Sequence, residues 1–498
     1  MSRTQIDYLN GLFRNGANRV FLISEATGRA LTRGEVAARA RAIAGELGRA
    51  GVEPGDRVGF VAGNSIDLAL LYFGAWAAGA QVIPVNPQLT PAQIAEILDL
   101  ADVRLALVSV SERAAAAAAA DEVLLFKEET GERAPGALDV FSLPTGDERP
   151  LFGAHGDDET AFLRIYTSGT TSRPKGIDLA FRGLIGNERA FCDFLGIGEA
   201  NRFYNILPMS YLGGVHNLLL LPLAAGGSTV IGQPLGGTGL YSFWDTVRER
   251  GVNTLWFTSA MLSMLMALRD DEDMGWLRDH IRLGLVGMAP LQPSVKDAFE
   301  ARFGFRLHEN YAMSETTFLT SSHPGIAFRP GSSGKILPDV ELEIVGESGA
   351  LVPDGEVGEI RVRTPYMMKG YVDAPQSDLD SWTDDGFRTG DLAYLVGGEL
   401  FVCGRSKDLI IRGGLNIAPA QIEARLLEHE SIADVAVVGV PDGVYGEEVA
   451  AMIVPRSQAD IDPAALKEWM KDRIPLFQRP KKIRIADELP MVMSGNVD

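Results

Sequence analysis

The sequence predicts a multi-layered α/β protein: a large N-terminal domain of several subdomains, with layered sheets and helices, followed by a small C-terminal α/β domain. Three observations predict it. The chain has 498 residues, 46% hydrophobic and 22% charged, which at about 100–200 residues per unit suggests roughly three units with an ordinary globular core. Strand-like and helix-like segments alternate through the first third, as parallel α/β layers require. From Leu337 the segments become short and β-rich, and after Gly404 a separate set of helices and strands begins.

The elements follow in order. Thr32 to Gly51 predicts a helix, with Thr32 as cap, Glu35 three residues on, and a terminal Gly. Arg57 to Val61 reads as a buried strand, Asn64 to Gly79 as a helix, and Val82 to Val85 as another strand. Thr90-Pro91 opens a helix through Leu100, with Pro in the first turn where it costs no hydrogen bond. The alanine run at 114–120 suits a surface helix. Phe162 to Tyr166 is an apolar strand. Past Leu337, strands are expected at Val340–Val345, Gly358–Arg363 and Leu400–Gly404. The C-terminal part then offers a helix from Pro419 to His429, strands at Val435–Val440 and Val449–Val454, and a helix from Pro463 to Arg473. The boundary falls at Gly404 to Lys407, dividing the chain into 1–404 and 405–498. No internal repeat is visible.

Composition excludes several function classes. With 46 Lys+Arg against 66 Asp+Glu, the formal net charge is -20, a poor match for nucleic acid or an anionic membrane surface. Two cysteines, Cys192 and Cys403, build neither a disulfide framework nor a Cys-rich metal site, and suit a reducing compartment such as the cytoplasm. The longest apolar run, Leu68 to Ala80, is too short to span a bilayer and suits a buried helix. No apolar stretch follows the first residues, so no signal peptide is expected.

The most informative stretch is Tyr166-Thr167-Ser168-Gly169-Thr170-Thr171-Ser172-Arg173-Pro174-Lys175-Gly176. Hydroxyls and small residues can present several O–H and N–H donors to phosphate oxygens, and Arg173 and Lys175 add positive charge. It is not a Walker A loop, because Lys175 follows Pro and precedes Gly. A polar surface turn is the ordinary reading of a Ser/Thr/Gly run. Six such residues after an apolar strand, closing in Pro-Lys-Gly, disfavour it.

At these residues the chain resembles the adenylate-forming superfamily of acyl-CoA synthetases, firefly luciferases and nonribosomal adenylation domains. Its T-S-G-[ST]-T-G-x-P-K-G loop is matched except at Ser172, and further matches cover nearly the whole chain. Gly287-Met288-Ala289-Pro290 is similar to the segment lying against adenine, and Asn310-Tyr311-Ala312-Met313-Ser314-Glu315 to the Y-G-x-T-E element. The resemblance implies that Asn310 faces the adenine amino group, Tyr311 stacks on the ring, Ser314 approaches the α-phosphate and Glu315 ligates Mg²⁺. It implies ATP contacts from Thr167, Ser168, Gly169 and Thr171, and catalytic roles for Thr170 and Lys175. Thr389-Gly390-Asp391 resembles the ribose-binding T-G-D, and Gly404-Arg405-Ser406-Lys407-Asp408 the hinge segment. Arg405 then adds a ribose or phosphate contact, and Lys407 is the pivot of a mobile C-terminal domain. Gly413 and Gly414 resemble the pantetheine tunnel, where glycines admit a thiol arm.

The implied reaction is activation of a small carboxylic acid by ATP to acyl-AMP, then transfer to a thiol. CoA is favoured; the alternatives are the phosphopantetheine of an acyl carrier protein, or a non-catalytic nucleotide- or acyl-binding homologue. For the acyl pocket the resemblance implies Tyr211, His216, Met288 and Ala312. No Asp lies between Phe203 and Leu223, which disfavours an α-amino acid. Met288 replaces a residue often Gly in the family and would shorten the pocket, and a His such as His216 is more often a packing residue than a ligand. The family's C-terminal loop carries a Lys that bridges acyl carboxylate and α-phosphate; here Asn496 stands in its place. Loss of such a donor costs on the order of 10²–10³ in rate. Three explanations stay open: an engineered substitution, replacement by Lys481 or Lys482, or loss of the adenylation step.

Overall fold

The computed structural model describes residues 4–112, 122–131, 134–146, 149–167, 174–268, 275–289, 291–374, 379–412, 415–443, 445–456 and 461–489. The alanine run lies outside them.

Local signals in the first third translate directly into structure. The helix Arg33–Arg49 starts on Thr32, whose hydroxyl accepts the Glu35 N–H while the Glu35 carboxylate accepts the Thr32 N–H, a reciprocal capping box. Thr90 and Gln93 repeat the device at the helix Pro91–Leu100, with Pro in its first turn. The apolar run becomes the helix Ile66–Ala77, capped by Ser65 and buried from Ile66 through Trp76. Being buried all round, it belongs to a core. Among the described residues no helix is long and apolar enough to cross a membrane.

Three sheets organise these elements among the described residues. The first has seven strands, ordered Gly370–Val372, Lys175–Ala180, Ala161–Thr167, Gln81–Val85, Arg57–Val61, Leu105–Ser109 and Val123–Phe126. Its central pairs are parallel, while Lys175–Ala180 runs antiparallel to both neighbours. The second has fourteen strands. Its parallel part ends on Thr254–Phe257, Leu283–Val286 and Leu307–Met313. It then turns antiparallel through Thr317–Ser321 towards Glu399–Arg405, Gly386–Val396 and Gly358–Arg363. Antiparallel pairing begins at Thr317–Ser321, ahead of the change of pattern expected from Leu337, and the strands Glu341–Val345 and Gly358–Arg363 continue it.

The third sheet, of five strands, forms the small C-terminal domain around Ile432–Asp442 and Gly446–Pro455. Ile410, Ile422, Leu426, Val449, Ile453 and Leu466 give it a core of its own. Its helices, Pro419–Leu426 and Pro463–Trp469, stop three and four residues short of the expected ends. The second continues as a 3₁₀ turn over Met470–Asp472, the usual way a helix end tightens. Gly404 and Arg405 belong to the strand Glu399–Arg405, Lys407 sits in the 3₁₀ turn Ser406–Asp408, and the C-terminal sheet starts at Ile410.

Candidate active site

The strands Ala161–Thr167 and Lys175–Ala180 pair so that Thr167 lies opposite Lys175. Ser168, Gly169, Thr170 and Thr171 lie outside the described residues, and of Thr167 only the backbone is described. On the far edge, Gly370–Val372 sets Tyr371 opposite Ile177. This brings three distant residues to one point. Lys175 Nζ stands 3.7 Å from Glu315 Oε1 and 4.3 Å from the centre of the Tyr371 ring. The Tyr371 hydroxyl donates to the same carboxylate oxygen at 2.8 Å. Glu315 is buried, and its carbonyl accepts the Met368 N–H at 2.8 Å. A buried carboxylate needs such partners, and here they also fix its direction.

A second cluster continues along the hairpin that joins Leu307–Met313 to Thr317–Ser321. Parallel pairing of Val286 with Glu309 places Gly287 beside Asn310. The Asn310 amide donates to the Val286 carbonyl at 2.8 Å, and a Cβ on Gly287 would stand 2.4 Å from its Oδ1, so any side chain there would displace that amide. Tyr311 donates to Asp391 Oδ2 at 2.6 Å, and Arg405 Nε contacts Asp391 Oδ1 at 3.0 Å. Asp391 and Arg405 face each other across paired strands. Burial pushes the Asp391 carboxyl up, with the Glu315 charge adding to it, while Tyr311 and Arg405 oppose the shift. Burial, followed by Asp391, holds the Tyr311 phenol well above its usual range. A carboxylate offers about four lone-pair sites, so Asp391 can still accept hydroxyls beside these two donors. Ser314 is half-buried at the hairpin tip and Ala312 is exposed; Ala289 is half-buried, and Pro290 lies outside the described residues.

The residues expected around the acid separate into two groups. Tyr211 is partly exposed, and its hydroxyl accepts from Asn86 Nδ2 at 3.1 Å. Met288 is 55% exposed at φ +72, a conformation that strains any side chain with a Cβ. It lies over Gly213, where a Cβ would sit 3.1 Å from Met288 Cε and 3.2 Å from Sδ. His216, by contrast, is 2% exposed within the π-helix Gly213–Leu220. Its ring stacks on Phe318 at 4.6 Å, and Nε2 is 3.6 Å from Oε1 of the fully buried Glu188. Burial lowers His216 to about 4, so its ring is neutral at neutral pH, and burial pushes the Glu188 carboxyl well up. His216 is thus buried, whereas Tyr211 and Met288 reach the surface.

In the C-terminal domain, Ile410–Arg412 and Leu415–Ile417 pair with Arg412 opposite Leu415; Gly413 and Gly414 between them lie outside the described residues, as does Asn496. Lys481 forms an ion pair with Glu448, which also binds Arg412 at 2.6 Å.

Sequence reasoning missed Tyr371, Asn86 and Glu359. The last accepts the Gly390 N–H at 3.0 Å and pairs with Arg388, fixing the turn before Asp391. None carries a local signature; each is recruited by strand pairing or long-range packing. Among the described residues no three His, Cys, Asp or Glu side chains form a metal cage. Glu315 offers one buried hard-oxygen ligand beside Lys175, which fits Mg²⁺ when substrate phosphates complete its shell.

Comparison with known proteins supplies the context. The model of the AMP-binding enzyme family matches residues 13–372, and that of the AMP-binding enzyme C-terminal domain matches 421–496. Sulfoacetate–CoA ligase of Cupriavidus necator is 34% identical over 490 residues, covering 96% of this chain and 93% of that protein. Oxalate–CoA ligase of Arabidopsis thaliana is 29% identical, with coverage of 92% and 90%. The crystal structure of ATP-bound MatB from Rhodopseudomonas palustris superposes with a TM-score of 0.88 at 26% identity, over 99% of this chain and 97% of that one.

Proposed function

The chain belongs to the adenylate-forming superfamily of AMP-binding enzymes, and from that premise we propose that it joins a small carboxylic acid to CoA at the expense of ATP. The convergence of Lys175, Glu315 and Tyr371 beside Tyr311, Asp391 and Arg405 carries the reading. The naming of its relatives as acid–CoA ligases supports it.

A carboxylate oxygen of the acid attacks the α-phosphorus of ATP, the bond to the bridging oxygen breaks, and pyrophosphate leaves with the electron pair. The thiol sulfur of CoA then attacks the acyl-AMP carbonyl, loses its proton, and expels AMP. Lys175 offsets negative charge on the phosphates, which is where preorganised electrostatics contribute most. Asp391 accepts from the ribose hydroxyls, with Tyr311 and Arg405 holding its oxygens. Asn310 and Gly287 border adenine. Mg²⁺ on Glu315 would supply further neutralisation of the phosphates when bound. Met288 over Gly213 shortens the acid site and favours acids with a small body. Between the two half-reactions the C-terminal domain, 405–498, turns about Lys407, a short segment able to absorb the backbone change.

Asn496 favours a second reading, a homologue that binds nucleotide and acid without adenylating. Pyrophosphate release, with ATP and a panel of carboxylic acids, separates the two. The enzyme reading expects turnover in the natural chain that rises on Asn496→Lys. Absence of turnover in both would sink it.

A further inference from the structure

A cleft of about 220 Å³ opens between the helix Gln5–Asn15, the turn after it and Glu199, bordered by Tyr8, Gly11, Leu12, Arg19, Arg33 and Glu199, with Asp7 and Asn15 at its margin. It shares no residue with the candidate active site. Its floor is Arg33, 1% exposed and among the largest fully buried side chains. One guanidinium nitrogen of Arg33 donates to the Gly226 carbonyl, while Nε meets no acceptor among the described residues. Arg33 is also the first residue of the helix Arg33–Arg49, the end at which the helix dipole disfavours a cation. The nearby carboxylate, Glu199, is engaged by Arg19. Burial, then the Arg19 charge, pushes the Arg33 guanidinium down, and the Glu199 charge offsets this only in part. A buried charge in this position is costly unless paired.

Gly11 borders the cleft. That residue sits mid-helix, where glycine costs about 0.5–1 kcal/mol relative to alanine, and a Cβ built on it would meet nothing within 4 Å. Helix stability is given up at a point where a side chain would project into open room. Leu12 and the Tyr8 ring provide apolar wall on the same helix.

We propose that this cleft is a binding site for a small oxyanion with a short apolar body, held by the Arg33 guanidinium and admitted by the missing side chain at Gly11. The ligand's oxygens would pair with the edge of the Arg33 guanidinium that borders the cleft, completing a charge-assisted pair. Its body would lie along Gly11 and Leu12.

Thermal unfolding of the full chain in chloride, acetate and inorganic phosphate at equal ionic strength tests the site. Gly11→Leu fills the cleft and leaves Arg33 in place; Arg33→Met removes the charge. Acetate or phosphate is expected to raise the unfolding temperature of the natural chain more than that of Gly11→Leu, which itself unfolds no lower than the natural chain in chloride. General exclusion of the anions from the surface, and their binding at the candidate active site, are common to both proteins and cancel. A larger effect of acetate assigns a carboxylate, and of phosphate a phosphate ester; either supports the site. Equal shifts in the natural chain and Gly11→Leu, or none in the natural chain, would overturn it. Loss of the extra shift in Arg33→Met adds support, and where that variant fails to fold, Gly11→Leu alone decides.

Discussion

Two clusters pair a glutamate with cations and a tyrosine, and they do so differently. In the C-terminal domain Glu448 holds Arg412 at 2.6 Å and Lys481 as well, and both cations lie over the Tyr445 ring, at 4.6 and 5.0 Å. In the candidate active site, Glu315 and Lys175 stand 3.7 Å apart, and a tyrosine hydroxyl takes part of the carboxylate's capacity. The first arrangement saturates a buried charge and ties a strand to its neighbours. The second leaves cation and carboxylate 3.7 Å apart, and in the proposed reaction they rearrange around the phosphates of ATP. Distance separates the two clusters: 2.6 Å between Glu448 and Arg412 against 3.7 Å between Glu315 and Lys175.

The largest expected effect breaks the binding cluster alone. Lys175→Met should cut pyrophosphate release by about 10²–10³ while shifting the unfolding midpoint little; an unaltered rate would remove Lys175 from the chemistry. Arg412→Met should do the reverse. It leaves the buried Glu448 short of a donor, at a cost of about 1–3 kcal/mol, read as a lower denaturant midpoint with binding of ATP retained. The same cluster predicts acid sensitivity. Burial raises the Glu448 carboxyl, but hydrogen bonds from Lys481, Arg412 and the Val449 N–H outweigh it and leave the pKa below 4.5. A group lowered on folding contributes stability above its unfolded pKa and loses it as pH falls through the folded one. Stability should therefore drop below about pH 4.5, and less so in Arg412→Met.

His216 and Glu188 predict a smaller, opposite pair of slopes. With His216 at about 4 in the fold against 6.5 outside it, stability should rise with pH across that window. Glu188, raised by burial, contributes its stability at low pH and loses it as pH rises. Glu188→Gln keeps the shape without that titration, so equilibrium unfolding should find it more stable relative to the natural chain at pH 8 than at pH 5. The smallest effect concerns the acid itself. Met288→Gly relieves the φ +72 strain, worth about 1–3 kcal/mol, and should extend pyrophosphate release to bulkier acids in a panel assay; an unchanged acid profile would remove Met288 from the pocket.

Legibility followed the range of the interactions involved. Capping boxes at Thr32 and Thr90, the buried helix Ile66–Ala77 and the split between a large and a small domain were written in neighbouring residues. The motifs that carry the family resemblance were equally local, and the matches over residues 13–372 and 421–496 show that family. Tyr371, Glu359 and Asn86 were not legible. Their positions come from strand pairing and long-range packing that no short motif records. The buried Glu188 partner of His216 lay hidden for the same reason, being contributed by another helix, Phe181–Leu195.

Assaying AMP, pyrophosphate and acyl-CoA together, with ATP, CoA and a panel of small carboxylic acids, tests the central claim most directly. The account predicts equal amounts of all three with at least one acid, in the natural chain or, faster, in Asn496→Lys. Nucleotide binding without any of these products in either protein would contradict it.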